Sequence, residues 1–344
     1  MSSNESNPNA PSVVEHMLQL TIGYMPAICI NIVAKLGIAD QLANGARSAA
    51  VLAKATNTNE DALYRVLRAL STVGVFSDIG SRQFAQTPAS DMLRSDHPQS
   101  LRAIAAFLTD PLHFRCYSNL MHSVKTGETT AGPTLGKPLF EYLAENPEES
   151  EVFNDAMVNG TQVVIPPLLE AYDFSGIGTL VDVGGGHGSV LASILQKHKQ
   201  MKGILYDLGH VVDGAPVLLE RSGVADRTQV VAGSFFESVP SGGDAYIMKN
   251  IIHDWDDERC LVILKNILRA SSSPNVKVLI LETVLPADAT PHPGKWFDIE
   301  MMALPGGRER TDEEFSRLLE KSGWRLTKIV LTKSLLNVIE AMPA

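Results

Sequence analysis

Two kinds of hydrophobic pattern divide the chain. In the first half apolar positions recur at helical spacing; from Thr179 onward, short apolar runs of strand length alternate with helical stretches. The strand-like runs are Thr179–Val183, Gly203–Tyr206, Gln229–Ala232, Ala245–Met248, Val276–Leu281, Arg325–Leu331 and Leu335–Glu340. Between them lie the helical stretches Ser189–His198, Ala215–Ser222, Asp256–Ala270 and Phe315–Lys321, the last entered through Thr311-Asp312-Glu313-Glu314, a good helix start. This alternation predicts an α/β fold, a doubly wound and mostly parallel seven-stranded sheet with helices on both faces. Such sheets take ligands outside the carboxyl ends of their strands.

Upstream, residues 12–44 read as two helical segments rich in Leu, Ile, Met and Ala that meet near Pro26. Helices apolar on most sides need cover from another chain or domain. Ser48–Lys54, Glu60–Val73 and a hairpin of Gly74–Ser77 with Gln83–Thr87 around Asp78-Ile79-Gly80 form a winged-helix pattern. Further helical signals, Ala103–Leu108, Leu139–Glu145 and Glu151–Gln162, flank a Gly/Thr/Pro-rich stretch at Thr126–Pro138. The expected division is a winged-helix-like domain over 1–100, a helical bridge over 101–175 and a sheet domain over 176–344. On the bridge, Phe153 and Met157 lie four apart on one helical face, a spacing that more often marks core than pocket lining.

Composition narrows the classes. With 344 residues, 44% of them apolar, the chain holds more than one average domain and a large core. A net charge of −10 argues against nucleic-acid and anionic-membrane partners. Within the winged-helix stretch, six basic residues (Arg47, Lys54, Arg65, Arg68, Arg82, Arg94) face five acidic ones (Glu60, Asp61, Asp78, Asp91, Asp96), which is no basic face for DNA. Cys29, Cys116 and Cys260 make neither a disulfide framework nor a metal pattern. Met1–Pro11 shows no export signal, and Met17–Ile38 is broken by Gln19, Pro26, Asn31 and Lys35, too polar for a membrane span. A cytoplasmic protein is expected.

The chemistry centres on Thr179-Leu-Val-Asp-Val-Gly-Gly-Gly-His-Gly188. A strand, a glycine turn and a helix make a nucleotide-type cofactor site, because glycines admit close backbone approach and the helix start offers unpaired N–H groups. Gly184, Gly186 and Gly188 give G-x-G-x-G; the dinucleotide fingerprint needs its third glycine where Ser189 stands. Asp182, at the strand end, would repel a diphosphate but suits an ammonium or sulfonium. Roughly nineteen residues past Gly188, Asp207 ends the next strand, placed to accept from ribose hydroxyls. Both anchors fit S-adenosylmethionine and disfavour a nicotinamide cofactor.

His253, in Ile251-Ile252-His253-Asp254-Trp255, follows a strand and precedes a helix. An imidazole with an ordinary pKa near roughly 6.5 can take a proton from a substrate hydroxyl at neutral pH. Asp254, Asp256, Asp257 and Glu258 read more plainly as a cap and acidic first turn than as a cation site. Glu282 ends a strongly apolar strand and Glu309 precedes a helix. A carboxylate reaching His253 would fix its tautomer and stabilise the imidazolium.

Together these motifs resemble one family. Leu36-Gly37-Ile38-Ala39-Asp40, Tyr64-Arg65-Val66-Leu67-Arg68-Ala69-Leu70, Val181–Gly188, Tyr206-Asp207-Leu208, Lys249–Trp255, Leu281-Glu282 and Gly306–Thr311 are similar to the plant-type S-adenosylmethionine-dependent O-methyltransferases (caffeic acid, acetylserotonin and hydroxyneurosporene-like) and their bacterial relatives. The resemblance implies a class I methyltransferase sheet, an N-terminal dimerisation domain, a homodimer, S-adenosylmethionine without a metal, and a small aromatic or polycyclic acceptor. It makes His253 the general base flanked by Glu282 and Glu309. Gly184 and Gly186 then belong to the cofactor loop, Asp207 with Leu208 to the ribose, and Lys249 to the cofactor's surroundings. Ser234 and Phe235 fall beside the adenine, Ser234 departing from the family's usual acid. Asp254, Phe153, Met157 and Met301 match acceptor positions, and Tyr117 stands near where relatives often carry Trp. The rivals are a family relative performing hydroxylation or decarboxylation and a winged-helix ligand-sensing regulator.

Overall fold

Seven strands pair as one sheet: β1 (Thr179–Val183), β2 (Lys202–Asp207), β3 (Thr228–Ala232), β4 (Ala245–Lys249), β5 (Lys277–Glu282), β6 (Trp324–Val330) and β7 (Asn337–Pro343). The structure, a computed structural model, describes residues 12–271 and 273–344, so the polar Met1–Pro11 segment lies outside it. The order across the sheet is β6-β7-β5-β4-β1-β2-β3, with β7 antiparallel to both its neighbours and the other pairs parallel. The expected doubly wound sheet is therefore present, its strand ends within three residues of the apolar runs and Thr179–Val183 matching at both ends.

The central strands β1, β4, β5 and β7 are largely buried on both faces, as strands covered by helices must be, while the edge strands β3 and β6 are partly exposed. On one face Leu180, Leu205, Ile247, Leu279 and Val338 pack with the Ser189–Lys197 helix and with Ile165 and Leu168 of the long Pro147–Ala171 helix. On the other, Val181, Tyr206, Tyr246 and Ile280 pack with the helices Asp257–Ala270 and Asp312–Lys321. The winding reverses at β1, which lies between β2 and β4. A crevice opens outside the strand carboxyl ends at such a reversal. Asp207, Lys249 and Glu282 are the last residues of β2, β4 and β5, and Asp182 is the last but one of β1.

The chain forms two compact units, 1–113 and 114–344, so the helices of the 101–175 stretch fall partly in each. In the first unit, Arg47–Ser48, Gln83–Gln86 and Phe76–Asp78 make a three-stranded antiparallel sheet beside the helices Ala49–Thr56 and Glu60–Thr72. Ile38, Leu52, Leu67, Phe76 and Phe84 fill its core. The two leading helices, Val13–Thr21 and Tyr24–Lys35, part at Ile22-Gly23 and not at Pro26. Pro26 sits in the first turn of the second helix, where a missing N–H costs no intrahelical bond. No single helix among the described residues is long and apolar enough to cross a membrane.

Two more expectations change. The Pro147–Ala171 helix runs well past Gln162 and through Pro166-Pro167. Burial of Ile165 and Leu168 on the sheet outweighs the backbone bonds the prolines delete. The Gly/Thr/Pro-rich stretch holds a short helix of its own, Ala131–Leu135, tied by Thr130, whose N–H and hydroxyl both donate to the Ala303 carbonyl at 2.8 Å.

Candidate active site

The glycine loop leaves β1 with Gly184, Gly186 and Gly188 all at positive φ (70°, 59° and 85°), a path strained for any other residue. The N–H groups of Gly184 and Gly185 donate to the Tyr206 carbonyl, and that of Gly186 donates to Asp207 Oδ2 at 2.8 Å. Leu208 N–H donates to Asp207 Oδ1 at 2.7 Å. Each Asp207 oxygen thus keeps lone-pair capacity for a further donor. A Cβ on Gly186 would meet nothing within 4 Å, so the loop is open there. Asp182 lies beneath the loop and not at its rim: a Cβ on Gly185 would sit 2.6 Å from its carboxyl carbon. Asp182 Oδ2 is buried without a partner.

Charge is concentrated under this loop. Burial and the Asp207 carboxylate push Asp182 up to about 7, against the pull of Lys249. Burial lowers the Lys249 ammonium, while Asp182, Asp254 and Glu282 hold it up in part. A buried, unpartnered carboxylate oxygen below an open glycine turn fits a cationic ligand, and Asp207 fits a diol. The residues present therefore fit S-adenosylmethionine. At the loop's far side Ser234 Oγ accepts from Phe236 N–H at 3.3 Å. Phe235 packs edge-on to Phe236, with ring centroids 4.8 Å apart.

Beyond β4 the chain enters the left-handed region at Asn250 (φ 55°) and makes one tight turn, Ile252–Asp254. His253 Nδ1 lies 2.9 Å from Glu309 Oε1, and Nε2 lies 3.5 Å from Asp254 Oδ1. Glu282 takes a different part: its Oε1 accepts from the N–H groups of Ile251 (3.1 Å) and His253 (3.0 Å). The two carboxylates meet because Arg310–Thr311 pairs in parallel with Val284–Leu285, the continuation of β5. Glycine allows the approach: a Cβ on Gly307 would lie 1.9 Å from the His253 carbonyl oxygen. Burial works against the imidazolium, but Asp254, the Glu309 hydrogen bond and Glu282 outweigh it and raise His253 to about 9. Burial raises Glu282 to about 7 and Asp254 to about 6.

The acidic stretch after His253 divides in its duties. Asp256 is the helix cap, its Oδ1 accepting from Arg259 N–H at 2.8 Å, and Asp257 and Glu258 fill the first turn. Asp254 caps nothing and faces the imidazole.

Phe153 and Met157 lie one turn apart on the Pro147–Ala171 helix, and Met301 is buried on the Gly294–Ala303 helix. Phe153 stacks edge-on to Phe140 (6.2 Å), Phe140 lies 5.5 Å from Trp255, and Trp255 reaches Phe236 at 4.9 Å. An aromatic chain thus links the helical stretch to the His253 turn. Tyr117 OH donates to Glu300 Oε2 at 2.6 Å, one residue before Met301. Phe140, Trp255 and the buried Arg310 carry no spacing signal of their own, since each is placed by a partner distant in sequence.

The O-methyltransferase domain family matches residues 117–325, and the O-methyltransferase dimerisation domain matches residues 18–96. The chain is 39% identical to the phenazine O-methyltransferase PhzM of Lysobacter antibioticus, over 95% of either chain. It is 37% identical to the mitomycin biosynthesis 6-O-methyltransferase of Streptomyces lavendulae, over 93% of this chain and 90% of that one. The solved structure of CalO1, a methyltransferase in calicheamicin biosynthesis with S-adenosylhomocysteine bound, superposes with a TM-score of 0.84 at 32% identity, covering 97% of this chain and 100% of that one.

The raised groups make stability fall with pH. Asp182, Glu282 and Asp254 hold protons up to about 7, 7 and 6, and His253 up to about 9, so these four groups bind more protons in the folded state than in the unfolded one, and the lowered Lys249 acts in the opposite sense. The carboxyl contribution is lost as pH rises from the ordinary carboxylate range to 7, and the His253 contribution as it rises from about 6.5 to about 9. The melting midpoint of the unliganded protein is expected to drop by several degrees between pH 5 and pH 9 in calorimetry. A midpoint flat or rising over that range would contradict this charge distribution.

Proposed function

The chain belongs to the S-adenosylmethionine-dependent O-methyltransferase family, and from that premise we propose that it methylates a hydroxyl of a small aromatic or polycyclic metabolite with His253 as general base. The observation that carries the reading is the 2.9 Å contact between His253 Nδ1 and Glu309. A carboxylate there favours the proton on Nδ1 and leaves the Nε2 lone pair for the acceptor.

Each residue then has a part. Asp207 would hold the cofactor ribose, with Leu208 beside it; Gly184 and Gly186 form the loop, Ser234 and Phe235 would border the adenine, and Asp182 and Lys249 set the charge beneath. Bound there, S-adenosylmethionine supplies a methyl group on a positively charged sulfur. Phe153, Met157 and Met301 clamp the ring of the acceptor, with Asp254 beside the imidazole. A neutral phenol, with a pKa of about 10, is a weak nucleophile. His253 Nε2 takes its proton as the oxygen attacks, and Glu309 stabilises the imidazolium that results. Glu282 keeps the turn in place through its two N–H acceptances. The intact His253 with both carboxylates supports methyl transfer over hydroxylation or decarboxylation.

The first unit carries the assembly. No residue of the Val13–Thr21 helix is buried, and Val13, Val14, Met17, Leu18 and Leu20 are each more than half exposed. Apolar surface of this extent calls for cover, and the dimerisation-domain match supports a second copy of the chain as that cover. Cys29, Cys116 and Cys260 are thiols and not disulfides, which suits the reducing cytoplasm.

Incubating wild type and His253→Ala with methyl-labelled S-adenosylmethionine and a panel of hydroxylated aromatics tests the reaction by mass spectrometry. Labelled product is expected from wild type, with turnover in His253→Ala lower by on the order of 10²-fold or more and the melting shift by S-adenosylhomocysteine kept. Since His253 must be deprotonated to act, wild-type kcat/KM should rise with pH toward about 9. Unchanged turnover in His253→Ala would remove it from the mechanism. Sedimentation should give a dimer in wild type and a monomer in Met17→Glu/Leu18→Glu; a monomeric wild type would refute the assembly.

A further inference from the structure

Arg310 is among the largest fully buried side chains, with 1% of its surface exposed. A guanidinium out of water is tolerated only where its donors are used. Here they converge on one short stretch of backbone. Nη1 donates to the Ile252 carbonyl at 3.1 Å, and Nη2 donates to the Trp255 carbonyl at 3.1 Å and to Asp257 Oδ1 at 2.8 Å. Ile252 and Trp255 bracket the turn that presents His253 and Asp254. The Cys260 sulfur lies 3.2 and 3.4 Å from the same two carbonyls, between which its single S–H is shared.

The rest of the turn's backbone is held as well. Glu282 accepts from the N–H groups of Ile251 and His253, and Arg308 N–H donates to the His253 carbonyl at 2.9 Å. Side chains of successive extended residues point to opposite sides. Glu309 therefore reaches the ring while Arg310 reaches the backbone behind it. Two carbonyls at a fixed separation need a planar fork, which a lysine ammonium does not offer. Asp257, more than half exposed, aims the fork from outside and contributes orientation more than attraction.

We propose that Arg310 is a positioning residue for methyl transfer: by bridging the Ile252 and Trp255 carbonyls it fixes the imidazole of His253 where Nε2 reaches the acceptor hydroxyl. The inference rests on the reading of His253 as the base.

The test is a cycle of wild type, Arg310→Lys, His253→Ala and the double variant, read as kcat, acceptor KM and the melting shift produced by S-adenosylhomocysteine. Arg310→Lys should keep the melting shift and an acceptor KM within about threefold of wild type while kcat falls on the order of 10²-fold, the scale of a misplaced reacting group. In the His253→Ala background the same substitution should change kcat by less than about threefold, because a residue acting through His253 has nothing left to position. Wild-type kcat in Arg310→Lys overturns the proposal, as does an equal loss in the His253→Ala background. If Arg310→Lys shows no melting transition, Asp257→Asn replaces it, with a fall in kcat of about fivefold or more expected and an unchanged kcat overturning the proposal. Wild-type turnover in His253→Ala sinks the base reading itself; an inactive His253→Ala beside a fully active Arg310→Lys sinks only the positioning role.

Discussion

One tight turn between β4 and the Asp257–Ala270 helix governs the chemistry of this fold, because its backbone is gripped from both sides by buried charge. Glu282 takes its N–H groups, Arg310 its flanking carbonyls, and Glu309 the ring that it presents. None of these charges is cheap to bury, and each is matched by a partner that needs it. The arrangement trades stability for placement: Glu282, Asp254 and the His253 imidazole titrate well above their ordinary ranges, as groups do where a fold keeps an acid and a base poised together.

The sheet supplies the coordinates. Parallel strands with helices on both faces send Asp182, Asp207, Lys249 and Glu282 to one edge, and the winding reversal at β1 opens the crevice between them. Cofactor-side and acceptor-side groups then come from different segments. The glycine loop and β2 provide the former. The turn after β4, the segment before the Asp312–Lys321 helix, and the two helices carrying Phe153, Met157 and Met301 provide the latter. Within the acceptor side, the Phe140–Trp255 ring contact ties the helical segment to the turn that carries the base.

What the sequence made legible was what depends on local rules. Three glycines at alternate positions demand a left-handed path, strand ends place acids beside them, and an apolar run of strand length has few alternatives. The same rules failed where tertiary packing overrode them. The helix expected over Glu151–Gln162 runs on through Pro166-Pro167, since the apolar face around them is buried on the sheet. Pro26 looked like a break and is a first-turn residue. Glu282 and Glu309 could be named together but not told apart, because which one reaches the ring depends on the short pairing of Arg310–Thr311 with Val284–Leu285. Arg310 gave no signal, for its partners are backbone carbonyls more than fifty residues away.

The central claim is that Glu309 keeps the proton on His253 Nδ1 and leaves Nε2 free to accept one. Nitrogen-15 NMR of histidine-labelled protein bound to S-adenosylhomocysteine, with the His253 signal assigned by its loss in His253→Ala, reads this directly. The account predicts a ring that titrates well above the ordinary histidine value and, once neutral, carries its proton on Nδ1. A neutral ring protonated on Nε2, or one that titrates at about 6.5 like a free imidazole, would contradict it.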